Sequence, residues 1–480
     1  MFVRRTRTTA IAVLALLNVF ALAAGLAVAH MLPPRLARLH VAVAADRPVV
    51  NATPVLSPAV SATSSTQSTS LPTERGLAAL LGGLLPPAAT GSGLGVEVAD
   101  AATGRVLYAD NAATPATPAS TTKVATAAAA LAVLGPDARF TTSVRQAGGT
   151  VVLVGGGDPT LAVDAYPSSD YPRPATLAQL AAASASALKA QGRRSVRLGY
   201  DTSLYSGPDL GPGWGDDVET GNVTQIVALE ADQGRLTASG GLQDADDPVN
   251  FQPRTTDPAG MTAAAFAALL SQDGITVSSP PQPAAAPAGA AELASVSSPP
   301  LVQVAGQMLL ESNNVIAENL ARQLALRLGL PATFAGAASA VTTELRRLGI
   351  TTPISLSDGS GLSPQDAIAP ETLVRVLKLA QDTPRLRGAL AGLPVAGFAG
   401  TLSAGQSVFG GIGGTARGVV RAKTGNLATV ATLAGLAYDK SGTLLLFAIM
   451  APQVPAAYEL QQAADAIDAA AAGLAACGCS

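Results

Sequence analysis

"GVVRAKTGNLATVATLAGLAYDKSGTLLLFAIM", residues 418–450, decides the fold. Its later part, 428–450, reads as two apolar strands around Asp439-Lys440-Ser441-Gly442, residue types that favour tight turns. The earlier part, 418–427, is a further strand candidate. Far upstream, "LGVEVADAATGRVLYAD" (94–110) alternates apolar and polar residues on both sides of Thr103-Gly104, which predicts another β-hairpin. Helical spacing falls between them, near 119–134, 302–329 and 369–381, and again near 456–476. Strands from both ends of the chain with helices in between predict one antiparallel sheet flanked by helices, an α+β plan.

Residues 139–300 have a different texture. Short strands ("TVVLVGGG", "SVRLGYD"), one helix near 175–191 and many Gly, Pro and Asp turns predict an inserted, mostly-β domain or domains. The passage closes on "SSPPQPAAAPAGAAELASVSSPP", which has a linker's composition. "GGGDP" (155–159) is not followed by a GK[ST] sequence or a helix start, so it reads as a turn and not a phosphate loop. At the N-terminus, three arginines precede an apolar run over 10–29, and "AVA" at 27–29 resembles a cleavage site. About 20 apolar residues also suffice to span a bilayer. Residues 1–30 are therefore a signal peptide or a membrane anchor, and both readings place the rest outside the cytoplasm. Residues 31–74 read as a disordered Ala/Pro/Ser/Thr linker. The remaining division is 75–138 and 301–476 as two parts of a catalytic domain around the 139–300 insertion, with 477–480 as a tail.

The chain has 480 residues and a formal net charge of −3, with no basic stripe of the kind that binds nucleic acid. Its two cysteines, Cys477 and Cys479, are too close in sequence for an ordinary disulfide and too few for a metal site, so they read as tail residues. The two histidines, His30 and His40, precede the folded part. A Ser-His-Asp arrangement and a histidine-ligated zinc are therefore unavailable, and any nucleophilic chemistry needs another base. No cofactor or metal is expected.

Lysine is scarce: five of the 30 basic residues, at 123, 189, 378, 423 and 440. In "PASTTKVATAAAALAVLG" (118–135), Ser120 and Lys123 share a helix face at i,i+3, beside a helix N-terminus. A lysine can serve as a base once burial or a second cation lowers its pKa, whereas an arginine stays protonated. The spacing alone is weak. Ser186 and Lys189 repeat it in the last part of a helix, and Ser120 can be a plain N-cap with Lys123 solvated. In Ser312-Asn313-Asn314 a hydroxyl and an amide can point together from a helix junction, or serve as caps. In "GVVRAKTGNL", Lys423-Thr424-Gly425 can meet a substrate carboxylate while an extended substrate pairs with the strand, or Lys423 can protect an edge strand.

Together, SxxK, SxN and KTG in this order resemble the three motifs of the penicillin-recognising serine transferases and hydrolases. "GGGDPTL" (155–161), "LESNNVIAENL" (310–320), "DGSGLS" (358–363) and the AKTG context are similar to the D-alanyl-D-alanine carboxypeptidases of the low-molecular-mass class C penicillin-binding proteins, from about residue 75 to the C-terminus. The resemblance implies the penicillin-binding/β-lactamase-like transpeptidase fold. The 189 residues from Lys123 to Ser312 fit a family that carries inserted domains there. Asn426 departs from the family's usual threonine.

What the resemblance implies is a serine-type D-Ala-D-Ala carboxypeptidase, with DD-endopeptidase activity open. Its substrates would be peptidoglycan stem peptides ending in D-Ala-D-Ala, with β-lactams as covalent inhibitors and membrane contact only through the N-terminal segment. Ser120 would be the nucleophile and Lys123 its base. Ser312, aided by Lys423, would pass a proton to the leaving amine. Asn314 would hold the peptide amide, Lys423, Thr424 and Gly425 the terminal carboxylate and backbone, and the N–H groups of Ser120 and Asn426 the oxyanion. The alternatives are a β-lactamase or an esterase on the same fold, and a catalytically silent wall-binding protein. No Glu-x-x-Asn lies between the second and third motifs, which disfavours the β-lactamase.

Overall fold

The computed structural model describes residues 71–164, 171–237, 240–242, 253–404, 416–455 and 460–479. The expected export signal or anchor, both histidines and nearly all of the 31–74 linker lie outside the described residues. Among the described residues, no helix is long and apolar enough to cross a membrane.

The central sheet is built from both ends of the chain, as the two hairpins predict. In chain order its strands are β1 (Gly95–Asp100), β2 (Val106–Asp110), β11 (Val420–Leu427), β12 (Val430–Tyr438) and β13 (Leu444–Ala451). They lie side by side as β11-β12-β13-β1-β2, with every neighbouring pair antiparallel. Gly95 stands opposite Met450 in the pair that joins the two ends. Both faces of the sheet are covered, which is why 430–450 reads as nearly continuous apolar residues. Leu445, Phe447, Ile449 and Ala451 point into one core with α1 (Glu74–Leu84) and α9 (Leu460–Ala476). Leu446, Ala448 and Met450 point into the other. That second core holds α2 (Thr122–Leu134), α5 (Leu301–Glu311), α6 (Asn314–Arg327), α7 (Phe334–Arg347) and α8 (Pro370–Asp382). The alanine-rich α2 is buried nearly all round, from Thr122 to Ala132, as a helix without a polar face must be.

A six-stranded sheet occupies the region between α2 and α5. It comprises β3 (Thr141–Ala147), β4 (Thr150–Val154), β5 (Ser195–Asp201), β8 (Ala291–Ser297) and two short strands, β6 (Thr276–Val277) and β7 (Gln282–Pro283). Helices α3 (Leu177–Ala190) and α4 (Pro258–Gln272) share its core. β4 and β5 are parallel and linked through α3, so this region is mixed α/β and not chiefly β. α4 escapes the sequence pattern because alanine surrounds it and leaves no clear stripe. The passage 278–300 is not a linker: its AELASVS segment is β8, an edge strand held to β3 by backbone pairing and mostly exposed, which needs no apolar alternation. "GGGDP" does not turn where expected: 155–158 run on from β4, with Gly155 N–H donating to Asp201 O and Gly157 N–H to Ala228 O, and the chain turns only at Pro159-Thr160.

The C-terminal cysteines overturn the expectation made for them. Cys477 and Cys479 are joined in a disulfide with Cα atoms 5.2 Å apart, within the span such a bond can bridge. Nor are they a loose tail. Cys477 is buried, and the Thr73 N–H donates to Cys479 O at 2.8 Å, tying the start of α1 to the end of the chain.

β11 approaches β12 closely at Gly435, where an added Cβ would lie 2.1 Å from Arg421 O and 2.5 Å from the Ala422 Cα. These are backbone atoms and cannot swing aside. Gly435→Ala is expected to destabilise the protein by about 1–3 kcal/mol, read as a lower urea midpoint; an unchanged midpoint would mean that β11 can drift from the sheet at no cost.

Candidate active site

The three sequence motifs meet at the β11 edge of the central sheet. Ser120 sits in a 3-10 turn, Ala119–Thr121, that leads into α2, and Lys123 lies in the first turn of the helix proper. Lys123 Nζ is 2.7 Å from Ser120 Oγ, so the i,i+3 spacing does bring hydroxyl and amine together. The same spacing at Ser186 and Lys189 leaves both residues exposed on α3, which confirms that the spacing alone decides nothing.

The second motif forms a break between two helices. Ser312 adopts a left-handed backbone (φ 60°) between α5 and α6, a conformation uncommon without glycine. The break turns its hydroxyl toward the third motif, where Lys423 Nζ donates to Ser312 Oγ at 2.8 Å. Asn313 caps α6, its Oδ1 accepting the Ile316 N–H. Asn314 starts the helix facing Lys123, whose Nζ donates to Asn314 Oδ1 at 2.6 Å. The side-chain capping alternative therefore describes Asn313, while Ser312 ends α5 as its C-cap through the backbone, its N–H donating to Met308 O, and its hydroxyl goes to Lys423.

β11 is an edge strand, but Lys423 does not protect that edge, because its side chain is fully buried. Thr424 Oγ1 pairs with Thr401 Oγ1 at 2.8 Å, while Asn426 is exposed. Gly425 is required by proximity: a Cβ there would stand 2.7 Å from Pro118 O and 3.0 Å from Ser120 N. The strand thus lies directly against the turn that carries Ser120. Ser120, Ser312 and Thr424 are half-buried, and the two lysines sit behind them with no exposed surface.

Electrostatics follow from that burial. Desolvation lowers the Lys123 pKa to about 7, against the opposing pull of Asp358, Glu318 and Asp366. Burial, with a smaller contribution from nearby Asp358, pushes Glu318 up to about 8 and Asp366 up to about 9. The burial that lowers Lys123 therefore also disfavours the charged forms of two of the carboxyls that oppose its shift. Lys423 lies well below the ordinary lysine value, from burial first and then from the charge of Lys123.

Several participants have no motif of their own. Lys123 Nζ also donates to the backbone carbonyl of Ser360, at 2.7 Å. That carbonyl belongs to the DGSGLS loop, whose shape is fixed by Asp358 accepting the N–H groups of Ser360, Gly361 and Ser363, and by Glu318 accepting those of Gly359 and Ser360. A carbonyl acceptor leaves no residue-type signature. Glu318 did leave one, a carboxylate at i,i+4 spacing between Asn314 and Arg322, a polar line on a largely buried helix. Among the described residues, no group of three or more His, Cys, Asp or Glu is placed to hold a metal ion.

The comparisons with known proteins agree with one another. The profile of the D-Ala-D-Ala carboxypeptidase 3 (S13) family matches residues 78–239 and 222–474. Carboxypeptidase DacB of Mycolicibacterium smegmatis is 38% identical over 418 residues, covering 85% of each chain. A carboxypeptidase of Mycobacterium tuberculosis is 36% identical over 394 residues, covering 80% of each. The crystal structure of penicillin binding protein 4 from Haemophilus influenzae superposes with a TM-score of 0.65 at 23% identity, over 82% of this chain and 98% of that one, a likeness of fold. With a profile spanning most of its length and a relative 38% identical across 85% of it, the chain belongs to the D-Ala-D-Ala carboxypeptidase (S13) family.

Proposed function

We propose that the protein is a serine-type D-Ala-D-Ala carboxypeptidase acting on peptidoglycan stem peptides through a Ser120 acyl-enzyme. The observation that carries this reading is the set of three contacts around Lys123 Nζ. A neutral amine has two N–H donors and one lone pair. Asn314 Oδ1 and Ser360 O can only accept from it, so they take both N–H groups. The lone pair is then left facing the one neighbour with a proton to give, Ser120 Oγ–H, at 2.7 Å.

In the proposed reaction, Ser120 Oγ attacks the carbonyl carbon of the bond between the two terminal D-alanines as its proton passes to Lys123 Nζ. The N–H groups of Ser120 and Asn426 receive the oxyanion. On collapse of the tetrahedral species the C–N bond breaks, and the leaving amine takes a proton relayed through Ser312, which Lys423 holds in place. D-Alanine departs, and water hydrolyses the ester to release the shortened peptide and restore Ser120. Lys423, Thr424 and Gly425 receive the terminal carboxylate and the substrate backbone. Asn314 Oδ1, already accepting from Lys123, keeps a second lone pair for the substrate amide N–H. A β-lactam would acylate the same serine and leave slowly. The family acts on cell-wall peptides, so an extracytoplasmic location follows from this reading. Residues 75–138 and 301–476 would form the catalytic domain around the 139–300 insertion, and neither cofactor nor metal enters the scheme.

Two measurements test the reading. Intact-mass analysis after benzylpenicillin treatment should show one covalent adduct on the wild type and none on Ser120→Ala, with the wild type also releasing D-alanine from a stem-peptide mimic. No wild-type adduct, or an adduct that survives the substitution, would sink the assignment. Because only neutral Lys123 accepts the proton, the acylation rate should rise with pH and level off above about 7. Lys123→Arg should lose on the order of a hundredfold to ten-thousandfold at every pH, and a flat wild-type profile would argue against lysine as the base.

A further inference from the structure

The two acceptors that fix Lys123 are both held by one turn of the inserted region. Trp214 Nε1 donates to Asp358 Oδ2 at 2.9 Å. The same carboxylate organises the loop that presents Ser360 O to Lys123. Eight residues later, Asn222 O accepts from Asn314 Nδ2 at 3.0 Å. A backbone carbonyl can only accept, so Asn222 forces the Asn314 amide to present its nitrogen to the insertion and its oxygen to Lys123. The turn is itself internally tied: Asn222 N–H donates to Asp217 O at 2.8 Å, Asn222 Nδ2 to Asp217 Oδ1 at 2.7 Å, and Asp217 N–H to Trp214 O at 3.2 Å. Trp214 is buried, its ring set edge-on to Phe334 with centroids 5.1 Å apart.

We propose that the 214–222 turn is a positioning element for Lys123, with Trp214 as its principal residue, so that the inserted region sets the reactivity of the base. The proposal rests on the reading of Lys123 as the general base. If either acceptor drifts, an N–H of the amine loses its protein partner. Water also gains a way to the amine, and solvation favours the charged form. The charged and titratable groups around Lys123 are Glu318 from α6, Asp358 and Asp366 from the 358–366 loop, and Lys423 from β11. A change at Trp214 removes none of these charges, although it takes one hydrogen bond from Asp358, so a shift in the titration of Lys123 reports a rearrangement around the amine and not a lost charge.

Trp214→Phe removes the indole N–H while keeping a ring against Phe334. The test follows benzylpenicillin acylation of the full chain by intact mass from roughly pH 5.5 to 9.5, with the final acylated fraction counting folded enzyme. The acid limb is expected to move up by about one pH unit, so that the rate falls about tenfold on that limb and stays within about twofold of wild type on the alkaline plateau. A purely structural role for Trp214 would lower the acylated fraction or scale the rate equally at every pH, with the limb unmoved, and that result overturns the proposal. If Trp214→Phe yields no acylatable protein, Asn222→Ala decides. It cuts the side-chain tie to Asp217 but keeps the carbonyl, and the limb must again move up for the proposal to stand. A wild type that forms no Ser120 adduct would instead defeat the reading of the base on which the proposal rests, a failure told apart from that of the turn because it appears without any substitution.

Discussion

A primary amine with no exposed surface is the constraint on which the rest of the site depends. An ammonium ion buried in an apolar protein is costly, and an amine with unmet N–H groups is costly too. Both demands are met at Lys123 by supplying acceptors in the number that a neutral amine needs. Each acceptor then needs its own support. Ser360 O requires the 358–363 loop, Asn314 Oδ1 requires the break between α5 and α6, and the loop requires Asp358 and Glu318 beneath it. Burial also raises the pKa of Glu318 and Asp366, two of the three carboxyls whose charge favours the ammonium form of the lysine. Desolvation therefore acts against the charged forms of the lysine and of these two carboxyls alike.

The second lysine shows how one motif can place two kinds of chemistry. Lys423 and Thr424 are neighbours on one strand, so their side chains leave it on opposite sides. Lys423 turns inward to hold Ser312, while Thr424 stays half-buried and pairs with Thr401. Gly425 then lets the strand lie flat against the Ser120 turn. Larger side chains at that point would separate the strand from Ser120.

Much of this arrangement is legible in the sequence, and the parts that are not share physical causes. The hairpins carry turn residues at fixed places, so both are readable, and the sheet follows from them. Ser120, Lys123, Ser312, Asn314 and Lys423 are legible because two of the chain's five lysines stand in the SxxK and KTG motifs, with the SxN motif between them in order. Helix α4 is harder, because PAGMTAAAFAALLSQ is rich in alanine and its apolar stripe is diluted; α7, FAGAASAVTTELRR, carries a clear stripe that the expectation above passes over. The passage before α5 looks like a linker because an edge strand needs only its backbone to pair. Likewise Ser360 and Asn222 act through carbonyl groups that every residue possesses. The spacing of Cys477 and Cys479 argues against a disulfide, yet the segment they occupy packs against the first helix.

The pairing of Gly95 with Met450 joins the first strand of the sheet to the last. The six-stranded sheet of the insertion, by contrast, comes from a contiguous stretch of chain and has all its partners before the C-terminal strands exist. Closing a loop between residues so distant in sequence is entropically costly and slow to find. Ser120 and Lys123 are made early, but β11, which brings Lys423 and Gly425 beside them, is made almost last. A chain interrupted during synthesis therefore has a serine and a lysine but no cleft, and reactivity arrives only with completion of the molecule.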